Sequence, residues 1–452
     1  MIEIIRGEEW PLTFYPENNE NVKYKLSDYI IMEKCDDGYL LLHTLSWSLF
    51  LLNEKEYENI LNYDYLKKYK LVLNEDIDEH SLAKKIYLNR SSLPFIPTYD
   101  NVKTFIIYTT SKCNAQCFYC YQKDSLNQKH MSSKTADDVA NFIINKAKGE
   151  IHIQWFGGEP LLNTNVMNQI CEKLNENNVI FSSSMISNAL LFDEKNINYA
   201  KTLWNFNWLQ ISMDGIGTVY NDIKNYKNKN INGFETVVNN IKNIMLLSNI
   251  SVKIRFNVSN DNINNVKESV KYFHDNFNEY LMKGRIVLYT ALLYDIYKTD
   301  INTSIKLLDD IENLSGKYIY LQKPPYYKIL SHKNLLTCMA DGGSTLSINP
   351  EGYFCVCNHW ADKNIIGDIY NGITNLDELK SWVTKDSKNI EFCMENKCKY
   401  LPICVHHYKC DASPMCSIND EKNLKIAQLK KSILYTYEEY KKRINQIKNG
   451  EE

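Results

Sequence analysis

Three cysteines, Cys113, Cys117 and Cys120, stand within the stretch TFIIYTTSKCNAQCFYCYQ, Thr104 to Gln122. Their C-x3-C-x2-C spacing places three thiols on one short loop, enough to hold three corners of a cubic iron–sulfur cluster. A cluster held wholly by protein takes four thiolates, so the fourth iron would be open to bind and polarise a small molecule. The plainer alternative is a three-thiolate zinc site. Further along stands Gly157-Gly158-Glu159-Pro160. Its glycines allow backbone to approach a ligand closely, and Glu159 offers a carboxylate to a ligand ammonium. The structural alternative is an ordinary strand-to-helix turn. Two more polar clusters follow, Ser187-Asn188-Ala189 and Ser212-Met213-Asp214-Gly215. In the second, Asp214 reads as a turn former beside Gly215.

Eight further cysteines crowd the last third of the chain: Cys338, Cys355, Cys357, Cys393, Cys398, Cys404, Cys410 and Cys416. Eight thiols suit auxiliary iron–sulfur clusters or a pair of four-thiolate zinc sites. His406 and His407 lie inside this block and read as loop residues. Cys35 stands alone, and Cys171 reads as small core packing.

These groups need elements to position them. Thr104–Thr110 is a β-branched and aromatic run and reads as a buried strand. Further strands are expected at Ile151–Phe156, Val179–Ile186, Trp208–Met213, Ser251–Val258 and Arg285–Leu292. Helical patterns fall between them near Lys134–Lys148, Thr164–Asn175, Glu194–Leu203, Gly233–Leu247 and Ile263–Phe277. Such alternation predicts an α/β fold with a parallel sheet and right-handed crossovers. Ligands in such folds gather at the C-terminal strand ends, where the polar motifs fall. Ahead of this region, Tyr29–Met32 and Tyr39–His43 read as a hairpin around Asp36-Asp37-Gly38, with helices at Glu54–Leu61 and Asp78–Leu88. Ser92–Asn101, with Pro94 and Pro97, reads as a linker. Leu424–Asn449 is a charged amphipathic helix, expected to pack back on the body or on a second subunit. The division expected is 1–95, 96–325, 326–422 and 423–452.

Composition narrows the classes. At 452 residues the chain suits two or three domains. A net charge of −3 and a pI near 6.3 give no global attraction to nucleic acid or to an anionic membrane. No apolar run reaches the ~18–20 residues of a spanning helix. No secretory signal is visible, so a cytoplasmic protein is expected. Thirteen cysteines in that compartment point to metal or cluster ligation, not disulfides.

The cysteine triplet, with Tyr119 just before its third member, resembles the radical S-adenosylmethionine (SAM) enzymes, and GGEP after the second strand matches that family's element for the SAM amino group. The resemblance spans about residues 100 to 420. It implies a partial (β/α)6 barrel of the TIM type, open at one side, whose open iron chelates SAM. An electron from the cluster then splits SAM to a 5′-deoxyadenosyl radical that abstracts hydrogen from an unactivated C–H bond. Implied cofactor-binding residues are Tyr119, Gly157, Gly158, Glu159, Ser187, Asn188 and Ser212, the last toward the ribose or carboxylate. Relatives often carry an arginine for the SAM carboxylate after S-x-D-G. Here the text is YNDIKNYK, so Lys224 or Arg255 is the candidate.

Cys338, Gly352 and Cys357 fit the first block of a SPASM domain, which carries auxiliary clusters. The later spacings are longer than usual, so ligands follow by order. Cys393, Cys398, Cys404 and Cys416 would enclose one cluster, and Cys338, Cys357 and Cys410 would hold the other. Cys355 is a candidate fourth ligand, as residues two apart on a strand share a side. Otherwise that iron is open to a substrate thiolate, the reading preferred here. Residues 1–95 are similar to the small α+β peptide-binding segment ahead of many peptide-modifying radical SAM enzymes. An exposed sheet edge there would capture an extended peptide by strand addition; a structural cap is the alternative. The resemblance thus implies a maturase of a ribosomally made precursor peptide, fed by a flavodoxin- or ferredoxin-type donor. The preferred reaction is cysteine thioether crosslinking. Carbon–carbon (cyclophane) crosslinking, epimerisation, formylglycine formation in a sulfatase, and a zinc-stapled peptide-binding protein are the alternatives.

Overall fold

The computed structural model describes the chain apart from residues 1, 7–9, 18, 20, 92–97, 123–127, 294–300, 324–329, 331–342, 359–363, 384–389, 397, 402–418 and 450–452. It opens with strands β1 (Glu3–Arg6), β2 (Tyr24–Leu26), β3 (Ile30–Cys35), β4 (Gly38–His43) and β5 (Ser48–Leu52). Helices α1 (Glu54–Glu58) and α2 (Asp64–Lys68), strand β6 (Val72–Asn74) and helix α3 (Glu79–Ser91) follow. An antiparallel sheet runs β1-β5-β4-β3, while β2 pairs with β6 apart from it. The expected hairpin is β3–β4, with Ile31 opposite Leu42 and Cys35 opposite Gly38.

The central region alternates β7 (Thr104–Thr110), α4 (Ser133–Lys146), β8 (Ile151–Gly157), α5 (Thr164–Glu176), β9 (Phe181–Ser187), α6 (Glu194–Thr202) and β10 (Phe206–Ser212). Then come α7 (Gly217–Lys224), α8 (Gly233–Leu247), β11 (Ser251–Val258), α9 (Ile263–Met282), β12 (Ile286–Leu292), α10 (Ile301–Lys317) and β13 (Leu321–Gln322). Strands β7 to β13 lie side by side in chain order, and each pairs in parallel with the next. One face of each strand is apolar: Ile151, Ile153 and Trp155 of β8, and Val252, Ile254 and Phe256 of β11, are buried in the shared core with the helices. Side-chain caps start the helices. Ser132 accepts from Thr135 N, Asp193 from Asn196 N and Asn232 from Glu235 N.

The sheet does not end where the expected barrel ends. Strands β14 (Thr345–Ile348), β15 (Tyr353–Cys355), β16 (Ile365–Asp368) and β17 (Gly372–Ile373) continue it. β14 lies parallel to β7, and the three beyond it are antiparallel, giving eleven strands in one sheet. Helices α11 (Leu376–Val383), α12 (Ile390–Glu395) and α13 (Asn419–Asn449) complete the chain. α13 packs back on the body as expected. Its Leu429, Ile433 and Tyr437 cover Ile31, Leu40, Leu42 and Leu49 of the first sheet. On its other side Lys431 pairs with Asp309 and Glu312 of α10. Among the described residues no helix is long and apolar enough to cross a membrane.

Candidate functional site

The loop after β7 carries Cys113, Cys117 and Cys120, and α7 grips it from the side. Gln116 N donates to Lys224 O at 2.9 Å, and Lys227 N donates to Asn114 O at 2.9 Å. Asn225 ends α7 in the left-handed conformation, at φ 48°, which turns the chain back toward the loop. Ala115 N donates to Cys113 Sγ at 3.4 Å. Burial, then the nearby Glu159 carboxylate, pushes the Cys113 thiol up to about 12. An unliganded thiolate is therefore disfavoured here, and a bound cation reverses that preference. Among the described residues no three His, Cys, Asp or Glu side chains gather closely enough to hold a single metal ion. A cubane does not need them to, because its cysteine-bearing irons sit at separate corners.

The GGEP segment is stitched to the same loop. Gly158 N donates to Thr110 O at 3.1 Å and Glu159 N to Lys112 O at 2.9 Å. A Cβ on Gly158 would stand 2.4 Å from Lys112 O. The bare glycine therefore serves close contact with the loop's own backbone. Glu159 is fully buried. One oxygen accepts from Leu161 N (3.1 Å) and Ser187 Oγ (2.8 Å), the other from Asn188 N (2.9 Å). Burial outweighs these donors and raises its pKa to about 7. Asn188 in turn donates to Asn114 Oδ1 at 2.7 Å. The ends of β7, β8 and β9 are thus tied together by Glu159, Ser187 and Asn188.

At the end of β10, Asp214, read from sequence as a turn former beside Gly215, is fully buried. It accepts from the Tyr119 hydroxyl, from Asn257 N at 2.6 Å and from Asn257 Nδ2 at 3.2 Å. Lys224 Nζ lies 3.8 Å from Asp214 and donates to Tyr119 Oη at 3.0 Å. The Asp214 and Lys224 side chains are 0% and 3% exposed. Burial, then the Asp214 charge, holds the Tyr119 phenol well above its usual pKa. So Lys224 is committed to Asp214 and Tyr119. Arg255, beside Ser212 across the β10–β11 pairing, donates to Asn257 Oδ1 at 2.8 Å and contacts the Tyr289 hydroxyl. Asn257 and Asn114 were not singled out from sequence. An Asn at a strand's C-terminal end and an Asn beside a ligand cysteine are the signals available for them.

Of the C-terminal cysteines, Cys355, Cys357, Cys393 and Cys398 are described. Cys338, Cys404, Cys410 and Cys416, with His406 and His407, lie outside the described residues. β15 ends at Cys355, so Cys357 lies past the strand and the same-side argument for that pair lapses. Cys398 packs with Tyr15, Tyr29 and Leu82 of the N-terminal unit, Cys393 beside it.

The Radical SAM superfamily profile matches residues 107–290, from β7 to β12. An uncharacterized protein of Methanocaldococcus jannaschii is 30% identical over 285 residues, covering 60% of this chain and 90% of that protein. The chain belongs to the radical SAM superfamily. The radical SAM cyclopropyl synthase TigE of Paramaledivibacter caminithermalis is 24% identical over 409 residues, 84% of this chain and 80% of that one. The fold is shared with anSMEcpe bound to AdoMet and the Cp18Cys peptide, with a TM-score of 0.53 at 18% identity over 76% of this chain and 99% of that one. This radical SAM enzyme is accordingly one whose family implies SAM and a [4Fe–4S] cluster. The residues present fit both. Three thiols share one loop, and Asn114 Nδ2 is buried without a partner among the described residues, so an acceptor on a bound group would satisfy it. When bound, the pair supplies a radical able to take hydrogen from an unactivated carbon.

Proposed function

We propose that this enzyme modifies a ribosomally made peptide in the cytoplasm, beginning with hydrogen abstraction at the C-terminal ends of β7–β11. What carries the reading is the single network joining the Cys113/Cys117/Cys120 loop to Glu159, Asn188, Asp214 and Tyr119. It occurs in a chain colinear over most of its length with TigE. Cys113, Cys117 and Cys120 would hold the cluster. Glu159 fixes Ser187 and Asn188, which with Ser212 line the SAM side. Arg255 is the cation for the SAM carboxylate, since Lys224 is engaged elsewhere. Cys338, Cys355, Cys357, Cys393, Cys398, Cys404, Cys410 and Cys416 are read as auxiliary-cluster ligands that accept the electron left on the peptide. A flavodoxin- or ferredoxin-type protein would supply the first electron.

Two products remain in view. Cysteine thioether formation rests on an open auxiliary iron. Carbon–carbon bond formation is favoured by the likeness to a cyclopropyl synthase. Both remove a pair of hydrogens from the peptide. The test uses anaerobically reconstituted enzyme, SAM, a reductant and a cysteine-containing candidate precursor peptide. We expect 5′-deoxyadenosine and a peptide lighter by two hydrogens. Retained alkylation of every peptide cysteine by iodoacetamide marks the carbon–carbon product, and a lost site marks the thioether. Colourless protein containing zinc and no sulfide would overturn the reading.

A further inference from the structure

The inner face of the sheet differs from its helix-covered face. Alternate residues there are His152 of β8, Ser182 and Ser184 of β9, Trp208 and Gln210 of β10, Lys253 and Arg255 of β11, and Tyr289 of β12. A closed barrel fills this space with branched apolar side chains. Here apolar packing is confined to Ile106, Tyr108, Phe156 and Ile186 toward β7, and the residues named above are mostly polar and half-buried. The Lys253 ammonium lies 3.9 Å from the Trp208 ring centroid. His152 stacks on the same indole at 6.4 Å, its two ring nitrogens bonded to Ser182 Oγ (3.0 Å) and Ser184 Oγ (2.7 Å).

The charge on this face is unbalanced. Strands β7 to β12 contain no Asp or Glu at all, and their inner face carries both Lys253 and Arg255. Among the described residues neither has a carboxylate partner, and Lys253 has only the indole. Burial holds the Lys253 pKa below its usual value, and burial, then the Lys253 charge, lowers that of His152. The ammonium is thus partly stripped of water without an anion to compensate it. A cation–π contact leaves the N–H donors open. Lys253 lies two residues below Arg255, roughly 6.5 Å along the strand, within reach of one residue of an extended chain.

We infer that Lys253, with Trp208 and His152, forms a pocket for a carboxylate of the peptide substrate, so that the enzyme selects peptides with an acidic group beside the modified residue. The inference rests on the peptide-modifying reading above. Its test is binding alone, without SAM or reductant, so it fails or stands independently of turnover. The probes are the peptides acetyl-Gly-Gly-Glu-Gly-Gly-amide, its Gln counterpart, and acetyl-pentaglycine with a free C-terminus. The full chain is titrated with each at matched ionic strength. Amine acetylation is followed by mass spectrometry at Lys253, with exposed Lys195 as reference.

The Glu peptide is expected to reach half-maximal protection of Lys253 at about one-tenth the concentration of the Gln peptide, with Lys195 unaffected. Protection by free-acid pentaglycine and not by the Glu peptide would make the recognised group a chain terminus, overturning the side-chain assignment. Equal protection by Glu and Gln peptides, or none by either, overturns the pocket. By calorimetry, Lys253→Met should bring the Glu-to-Gln affinity ratio to near unity while Lys253→Arg preserves it. An unchanged ratio in Lys253→Met also overturns the proposal.

Discussion

A cation and a carboxylate with almost no solvent exposure depend on each other, and Asp214 and Lys224 are such a pair. Removing one charge leaves the other buried and uncompensated, at a cost of about 3–5 kcal/mol. Asp214→Asn should therefore lower the unfolding free energy measured by urea titration by an amount of that order. Adding Lys224→Met should restore part of it, because a neutral pair needs no counter-charge. Strict additivity of the two would remove the pair from this account. Glu159 offers a second test. All three groups bonded to its carboxylate donate, so the amide nitrogen of Glu159→Gln must face a backbone N–H, costing about 1–3 kcal/mol. The carboxyl pKa is raised from 4.5 to about 7. A raised acid stabilises the fold most when protonated, and that contribution is lost as pH rises through 4.5 to 7. In iron-free protein the stability difference between wild type and Glu159→Gln should thus shrink over that interval. A difference that grows with pH would show that Glu159 is ionised throughout. The cysteine triplet and the GGEP segment stood out because each spacing is local, and the structure ties Glu159 to the cysteine loop. Asp214 did not stand out, because its partners Tyr119 and Asn257 lie 95 and 43 residues away.

At the scale of elements, alternation and β-branching placed β7 and β11 at their observed limits and put the other four expected strands within two residues. α8 likewise matched the pattern. The short helix α7 escaped, since a turn-flanked run of eight residues gives little periodicity to read. β14 escaped for a different reason: a four-residue strand finds its place by pairing with β7, about 240 residues earlier, and nothing in its own composition encodes that partner. The junction of β8 with the cysteine loop yields a sharper prediction. Gly158→Ala forces a Cβ against Lys112 O, and the loop must shift. Iron and sulfide bound after anaerobic reconstitution should fall several-fold. Gly149→Ala is the control: at φ +78° it adds backbone strain that Gly158→Ala does not, yet nothing lies within 4 Å of the added carbon. Equal iron loading in both variants would separate the glycine from the cluster loop.

For the whole molecule, α13 is the strap that joins the first sheet to α10. Leu429 and Ile433 are fully buried against that sheet. Leu429→Ala and Ile433→Ala should each cost about 2–5 kcal/mol. Limited proteolysis should then cut between the N-terminal unit and β7 sooner than in wild type; an unchanged digestion pattern would deny α13 this role. Amphipathicity revealed that α13 has an apolar side. Which surface that side covers depended on tertiary packing, and the sequence left a second subunit equally open.

The strap also sets an order of events during synthesis. Ile31, Leu40, Leu42 and Leu49 leave the ribosome early, yet the side chains that cover them, Leu429 to Tyr437, are made nearly 400 residues later. At about 5–20 residues per second, that greasy surface waits roughly 20–80 seconds for its lid. A nascent chain of this enzyme is therefore a natural client for a holding chaperone until translation is almost finished.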